Sequence, residues 1–189
     1  ARPPAGEPGG APRQPGGEYA RDVLRRLLER EAHFLPAPDF VERQPQLSAA
    51  MRSTLNAWLG EVHGKYKLRR ETLFLAVNLV DRYLSRVHVP RHRFQLVGVT
   101  ALFIAAKFEE IRPPGLADLA YVTDHSCSGQ EILVMEASML AALGFEVAGP
   151  TAAHFLQHLE AAAPPAPGAS AWAWRLLELR LLEPPAAAA

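Results

Sequence analysis

The sequence has a single cysteine, so no internal disulfide is possible and neither a secreted disulfide scaffold nor a Cys-rich zinc module fits. It lacks any long hydrophobic run: the longest, Leu96 to Ala106, is about half of the ~20 residues needed to span a bilayer, and it ends at Lys107. No apolar segment near Ala1 suits a signal peptide, and the expected location is intracellular, nucleus and cytoplasm, with no membrane partner. Excess charge of either sign is missing too, with 20 Lys+Arg against 20 Asp+Glu, which argues against nucleic acid as a partner held by bulk electrostatics. Asn-Gly and Asp-Gly hairpin signals are absent, as is any strong period-2 alternation. Neither a Gly-rich phosphate loop nor a Gly-x-Ser-x-Gly elbow occurs, so no catalytic residues are assigned.

Proline divides the chain. Residues 1–17 hold ten Pro or Gly and read as a disordered tail. Residues 18–45 read as a helix followed by a Pro-interrupted linker. From Gln46 to Gly149 only Pro90, Pro113 and Pro114 occur, which marks the folded block. Residues 150–189 form a second zone, two helical stretches around Pro164, Pro165, Pro167 and Gly168.

Within the block the period is helical. Tyr19, Val23, Leu24, Leu27 and Leu28 make an apolar stripe over about residues 18–33. Leu47, Met51, Leu55, Trp58, Leu59, Val62 and Tyr66 make another, with Ser48 placed as its cap. A third helix is expected from Thr72 to Ser85. The stretch from Phe94 to Glu110 is apolar on every side and should be surrounded by other helices, with Pro113 and Pro114 blocking its continuation. A short helix is expected near 115–122. Ser128-Gly-Gln-Glu131 reads as a capping box opening a helix that ends at Gly144. The fold class is all-α, a five-helix bundle with the third helix at its centre.

Two weaker chemical signals remain. His154/His158 has helical i, i+4 spacing, but ordinary histidines explain it better than a metal site, and no metal or other cofactor is assigned. Arg82, Arg86, Arg91 and Arg93 with His88 and His92 form a local basic cluster, read as a solvated face.

Several phrases together carry a family resemblance: Met51-Arg-Ser-Thr-Leu-Asn-Ala-Trp58, Tyr66-Lys-Leu68, Asp81-Arg-Tyr-Leu-Ser85, Ala105-Ala-Lys-Phe-Glu-Glu-Ile111, Tyr121-Val-Thr-Asp124 and Met135-Glu136. From about Tyr19 to Pro150 the chain resembles the first cyclin box, most like those of A- and B-type cyclins. The resemblance implies a non-catalytic regulatory subunit that binds, and activates, a cyclin-dependent serine/threonine kinase in cell-cycle control. The alternative is a cyclin-fold interaction module that does not activate its partner. The family usually carries two boxes in tandem, and residues 150–189 then correspond to an incomplete second one.

Site residues follow by position from the resemblance. Arg52 and Asp81 match a buried salt bridge between the first two box helices. Lys107 and Glu136 match a pair facing the kinase, and Tyr19, Val23, Phe108, Glu109, Glu110 and Phe145 match further positions of that kinase-binding face. Met51, Leu55, Trp58, Glu61, Arg91 and Gln95 match a groove that docks substrates or inhibitors through short basic-hydrophobic motifs. Three departures stand there: Thr54 where an apolar residue is usual, and Asn56-Ala57 in place of Val-Asp. A hydroxyl in an apolar slot should weaken the groove, on the scale of ~0.8 kcal/mol per lost methylene. Gly129, Gln130 and Val134 stand where A-type relatives carry basic residues.

Overall fold

The computed structural model describes residues 19–183. The disordered tail expected over residues 1–17 and the closing residues 184–189 lie outside that range. The described residues form eight α-helices: α1 (Ala20–Glu31), α2 (Ala49–Tyr66), α3 (Arg70–Leu84), α4 (Phe94–Glu109), α5 (Leu116–Val122), α6 (Gly129–Ala142), α7 (Ala152–Ala162) and α8 (Ala169–Leu182). A 3₁₀ turn, Ala32–Phe34, extends α1. No described helix is long and apolar enough to cross a membrane.

The local signals act where the chain places them. The Ser48 hydroxyl accepts the Met51 amide at 3.3 Å and opens α2. Ser128 and Glu131 exchange amide hydrogen bonds, 3.2 Å and 2.8 Å, at the start of α6. Behind α6 the chain turns through Gly144 (φ +64°) and Phe145 (φ +60°), so a non-glycine residue also adopts the left-handed conformation.

Helix α4 is the centre of the bundle. Every residue from Leu96 to Ala106 is buried, and α3 and α6 pack on it most extensively. Gly98 permits the crossing with α2: a Cβ there would stand 2.6 Å from Leu55 Cδ1. Helix α3 is nearly as enclosed, buried from Glu71 to Val77 and from Leu79 to Leu84. The linker before α2 is tied down by Gln44, whose amide donates to the Leu84 and Val87 carbonyls and whose Oε1 accepts the Val89 amide. Asn78 holds the α1 end through the Phe34 carbonyl at 2.9 Å.

The C-terminal helices, whose partners the sequence does not reveal, pack on the box. Trp174 of α8 is buried against Phe74 of α3, edge to face at 6.3 Å, with Ala153 of α7 completing a small second core. The indole donates to Glu160 at 3.3 Å, and the Arg70 guanidinium lies 4.7 Å from the ring centroid. The outer face of the pair, Leu159, Trp172, Leu176 and Leu179, stays exposed.

The basic cluster is not one solvated face. Arg82 is buried, its guanidinium 4.7 Å over the Phe34 ring and donating to the Glu146 carbonyl at 2.9 Å. Burial pushes its guanidinium below the usual arginine range. Arg86, Arg91, Arg93, His88 and His92 remain exposed. His154 serves α7 locally: its Nδ1 accepts the Thr151 amide at 3.2 Å.

Candidate functional site

The exposed end of α4 carries the first constellation. Lys107 forms an ion pair with Glu136 of α6, and its ammonium lies 4.3 Å from the Phe103 ring centroid. Glu136 is buried and Lys107 exposed, so one charge is anchored and the other offered at the surface. Beside them Phe108 is 54% exposed, far above what a core aromatic shows. Phe108 and Glu109 line a cleft of about 180 Å³ with Leu27 and Arg30 of α1 and His154 of α7. Burial pushes the Glu109 carboxyl up. Tyr19, which precedes α1, and Val23 in its first turns are exposed, and Phe145 is exposed on the turn after α6. Exposed aromatic and aliphatic groups around a registered charge pair suit a protein interface.

Glu110 does a different job. Its Oε1 accepts the Arg69 amide at 2.7 Å and the Thr72 hydroxyl at 2.6 Å, which caps the start of α3 from the end of α4. Glu110 is half-buried, and this capping contact occupies one of its carboxylate oxygens.

Arg52 and Asp81 form a buried bidentate pair between α2 and α3, Nε to Oδ1 at 2.7 Å and Nη2 to Oδ2 at 2.5 Å. Burial pushes the Asp81 carboxyl up, and the Arg52 guanidinium opposes that shift. The remaining nitrogen, Nη1, donates to the Glu183 carbonyl at 2.8 Å and more weakly to that of Leu181 at 3.3 Å. Ser53 donates to Leu182 O at 2.5 Å and Asn56 to Leu181 O at 2.8 Å. Three neighbouring residues of α2 thus satisfy the orphan carbonyls at the end of α8. Sequence reasoning missed Ser53 and Asn56 in this role. The departure at Asn56 was legible, but the contact 125 residues away was not.

The second constellation lies on another face of α2. Met51 and Trp58 are half-buried, Glu61 and Arg91 exposed, and Gln95 half-buried. Leu55 is 6% exposed and packs on Gly98, so it belongs to the core more than to a surface groove. Thr54 is exposed and its hydroxyl donates back to the Ala50 carbonyl at 3.0 Å. Gln95 meets Ser126 at 3.2 Å, so its amide is oriented from the loop before α6.

The family described as "Cyclin, N-terminal domain" matches residues 22–148. The chain belongs to the cyclin family. The G2/mitotic-specific cyclin-A of Patella vulgata is 45% identical over 134 residues, 71% of this chain and 32% of that protein. Cyclin-A2 of Xenopus laevis is 39% identical over 166 residues, 88% of this chain and 40% of that protein. The G2/mitotic-specific cyclin-B of Emericella nidulans is 43% identical over 145 residues, 77% of this chain and 30% of that protein. The chain therefore spans only 30–40% of the length of these curated relatives, which are cyclins of the A and B types. The solved structure of a viral cyclin from herpesvirus saimiri superposes with a TM-score of 0.72 at 19% identity, covering 88% of this chain and 72% of that one. That likeness establishes the cyclin-box fold, here α2 to α6 around α4.

Proposed function

We propose that this cyclin chain binds a cyclin-dependent kinase as a non-catalytic regulatory subunit and stimulates its phosphoryl transfer. The observation that carries the reading is the Lys107–Glu136 ion pair at the open end of α4, with Phe108, Phe145, Tyr19 and Val23 exposed around it. A kinase helix laid across this face would find a buried carboxylate, a surface ammonium and aromatic anchors. Shifting that helix would place the kinase's own Lys–Glu pair for phosphate transfer. Substrates or inhibitors with basic-hydrophobic motifs would dock at Met51, Trp58 and Gln95, with Glu61 and Arg91 at the rim.

Affinity purification followed by a kinase assay tests the reading. The chain should retain a cyclin-dependent kinase and raise its activity, and the double substitution Lys107→Ala, Glu136→Ala should abolish retention with the helical content intact. Retention without stimulated phosphorylation would favour a non-activating interaction module. No retention by the parent chain would remove the proposal.

A further inference from the structure

The cleft near the Lys107–Glu136 pair has a cationic wall. Arg26 and Arg30 of α1 both line it, together with Phe108 and Glu109 of α4 and His154 of α7. The two arginines are four residues apart, so they share one face of α1, where like charges repel. Arg30 is held in place: its Nη2 donates to the Ala148 carbonyl at 2.8 Å, and its guanidinium lies 5.3 Å from the Phe34 ring centroid. That single bond leaves the rest of a five-donor fork open. Arg26 is exposed and has no ion pair or hydrogen bond among the described residues. Asp22, one turn before it, is already paired with Arg25 at 2.9 Å.

His154 adds a third donor. Its Nδ1 accepts the Thr151 amide, so the ring proton sits on Nε2. Glu109 is the one carboxylate in the lining, and it interacts with His154 and Arg69 rather than with either arginine of α1. Two guanidinia thus border a space of about 180 Å³ without a counter-ion of their own. A guanidinium fork matches the planar geometry of a carboxylate. Two positive groups against Glu109 leave room for one further negative charge, which suits a carboxylate better than a phosphate carrying nearly two. The exposed Phe108 ring beside them would pack on the apolar stem of the same side chain.

Resting on the kinase-binding reading, we infer that the partner kinase places an Asp or Glu side chain in this cleft, and that Arg26 decides which kinase is accepted. Arg30, already anchored, holds one carboxylate oxygen, and Arg26 closes on the other. A kinase with a neutral or basic residue at that point leaves Arg26 unpaired at the interface and is rejected.

The test is surface plasmon resonance between the full chain and the cyclin-dependent kinase that it retains in affinity purification. Arg26→Glu should weaken binding at least about tenfold, chiefly through slower association, and the loss should shrink as salt rises. Arg26→Lys should fall between that variant and the parent. Arg21→Glu makes the same charge change about 140° around α1 and should leave the affinity unchanged. Arg26→Gln carries the same test if Arg26→Glu does not fold. In the kinase, changing each exposed Asp or Glu of the docked face to Lys in turn should give one variant that restores affinity for the Arg26→Glu chain. Equal losses from Arg26→Glu and Arg21→Glu, parent-like affinity of Arg26→Glu, or no restoring kinase variant would each overturn the inference and leave kinase binding standing. A parent chain that retains no kinase would remove both.

Discussion

Arg52 holds Asp81 by two hydrogen bonds and, with its third nitrogen, the carbonyl end of α8. One buried guanidinium thus joins two consecutive helices to the end of a third, 131 positions away. Removing it would strand a buried carboxylate and the Glu183 carbonyl together, while Asn56 keeps its bond to Leu181.

Arg52→Ala should therefore destabilise the chain by about 3–5 kcal/mol, the usual cost of breaking a buried pair from one side. Replacing both partners by apolar residues, Arg52→Met with Asp81→Leu, should recover part of the loss. Urea unfolding measures both; an unchanged midpoint for the single variant would contradict the role assigned to the pair.

Trp174 is the anchor of the C-terminal pair. Trp174→Ala should cost about 3–5 kcal/mol in local stability, as deletion of a buried aromatic does. Hydrogen exchange should show amides of α7 and α8 losing protection before those of α3 and α4. Uniform loss across all helices would mean that the pair is not a separable layer.

Gly98 meets Leu55 at closest approach. Gly98→Ala should destabilise by about 1–3 kcal/mol through overpacking, despite alanine's better helix propensity. Shortening the neighbour, Leu55→Val, should partly rescue it in a double-mutant cycle; additive losses would deny the contact.

Acid should loosen the attachment of α1. His33 Nε2 meets the Glu146 carboxylate at 2.7 Å, and this hydrogen bond holds the carboxyl below its ordinary range. A carboxyl depressed in the folded state stabilises above its unfolded pKa, and that contribution is lost as pH falls through the folded value. Glu146→Gln should flatten the fall of Tm below about pH 5, where carboxylates begin to protonate. An acid limb identical to the parent's would exclude the pair as a contributor.

The helices were legible because their signals are local. Ser48, the Ser128–Glu131 box, Pro113-Pro114 and the unbroken apolar run of α4 each act within a few residues, and the central place of α4 follows from having no polar face to expose. The family was legible from motif combination. The candidate kinase-facing residues were named by position, yet their geometry was not: Glu110 and Phe108 lie two residues apart, one capping α3 and one standing in solvent.

The all-α class, the helix boundaries to within a few residues and the cyclin family are readable in the linear chain, because periodicity, caps and motifs are properties of its order. Tertiary packing settles where the C-terminal helices go, that Arg82 is buried beneath Phe34, and that Asn56 reaches the Leu181 carbonyl at the end of α8. Those outcomes depend on contacts between residues tens to more than a hundred positions apart, and nothing in local spacing encodes which distant surface a helix will cover.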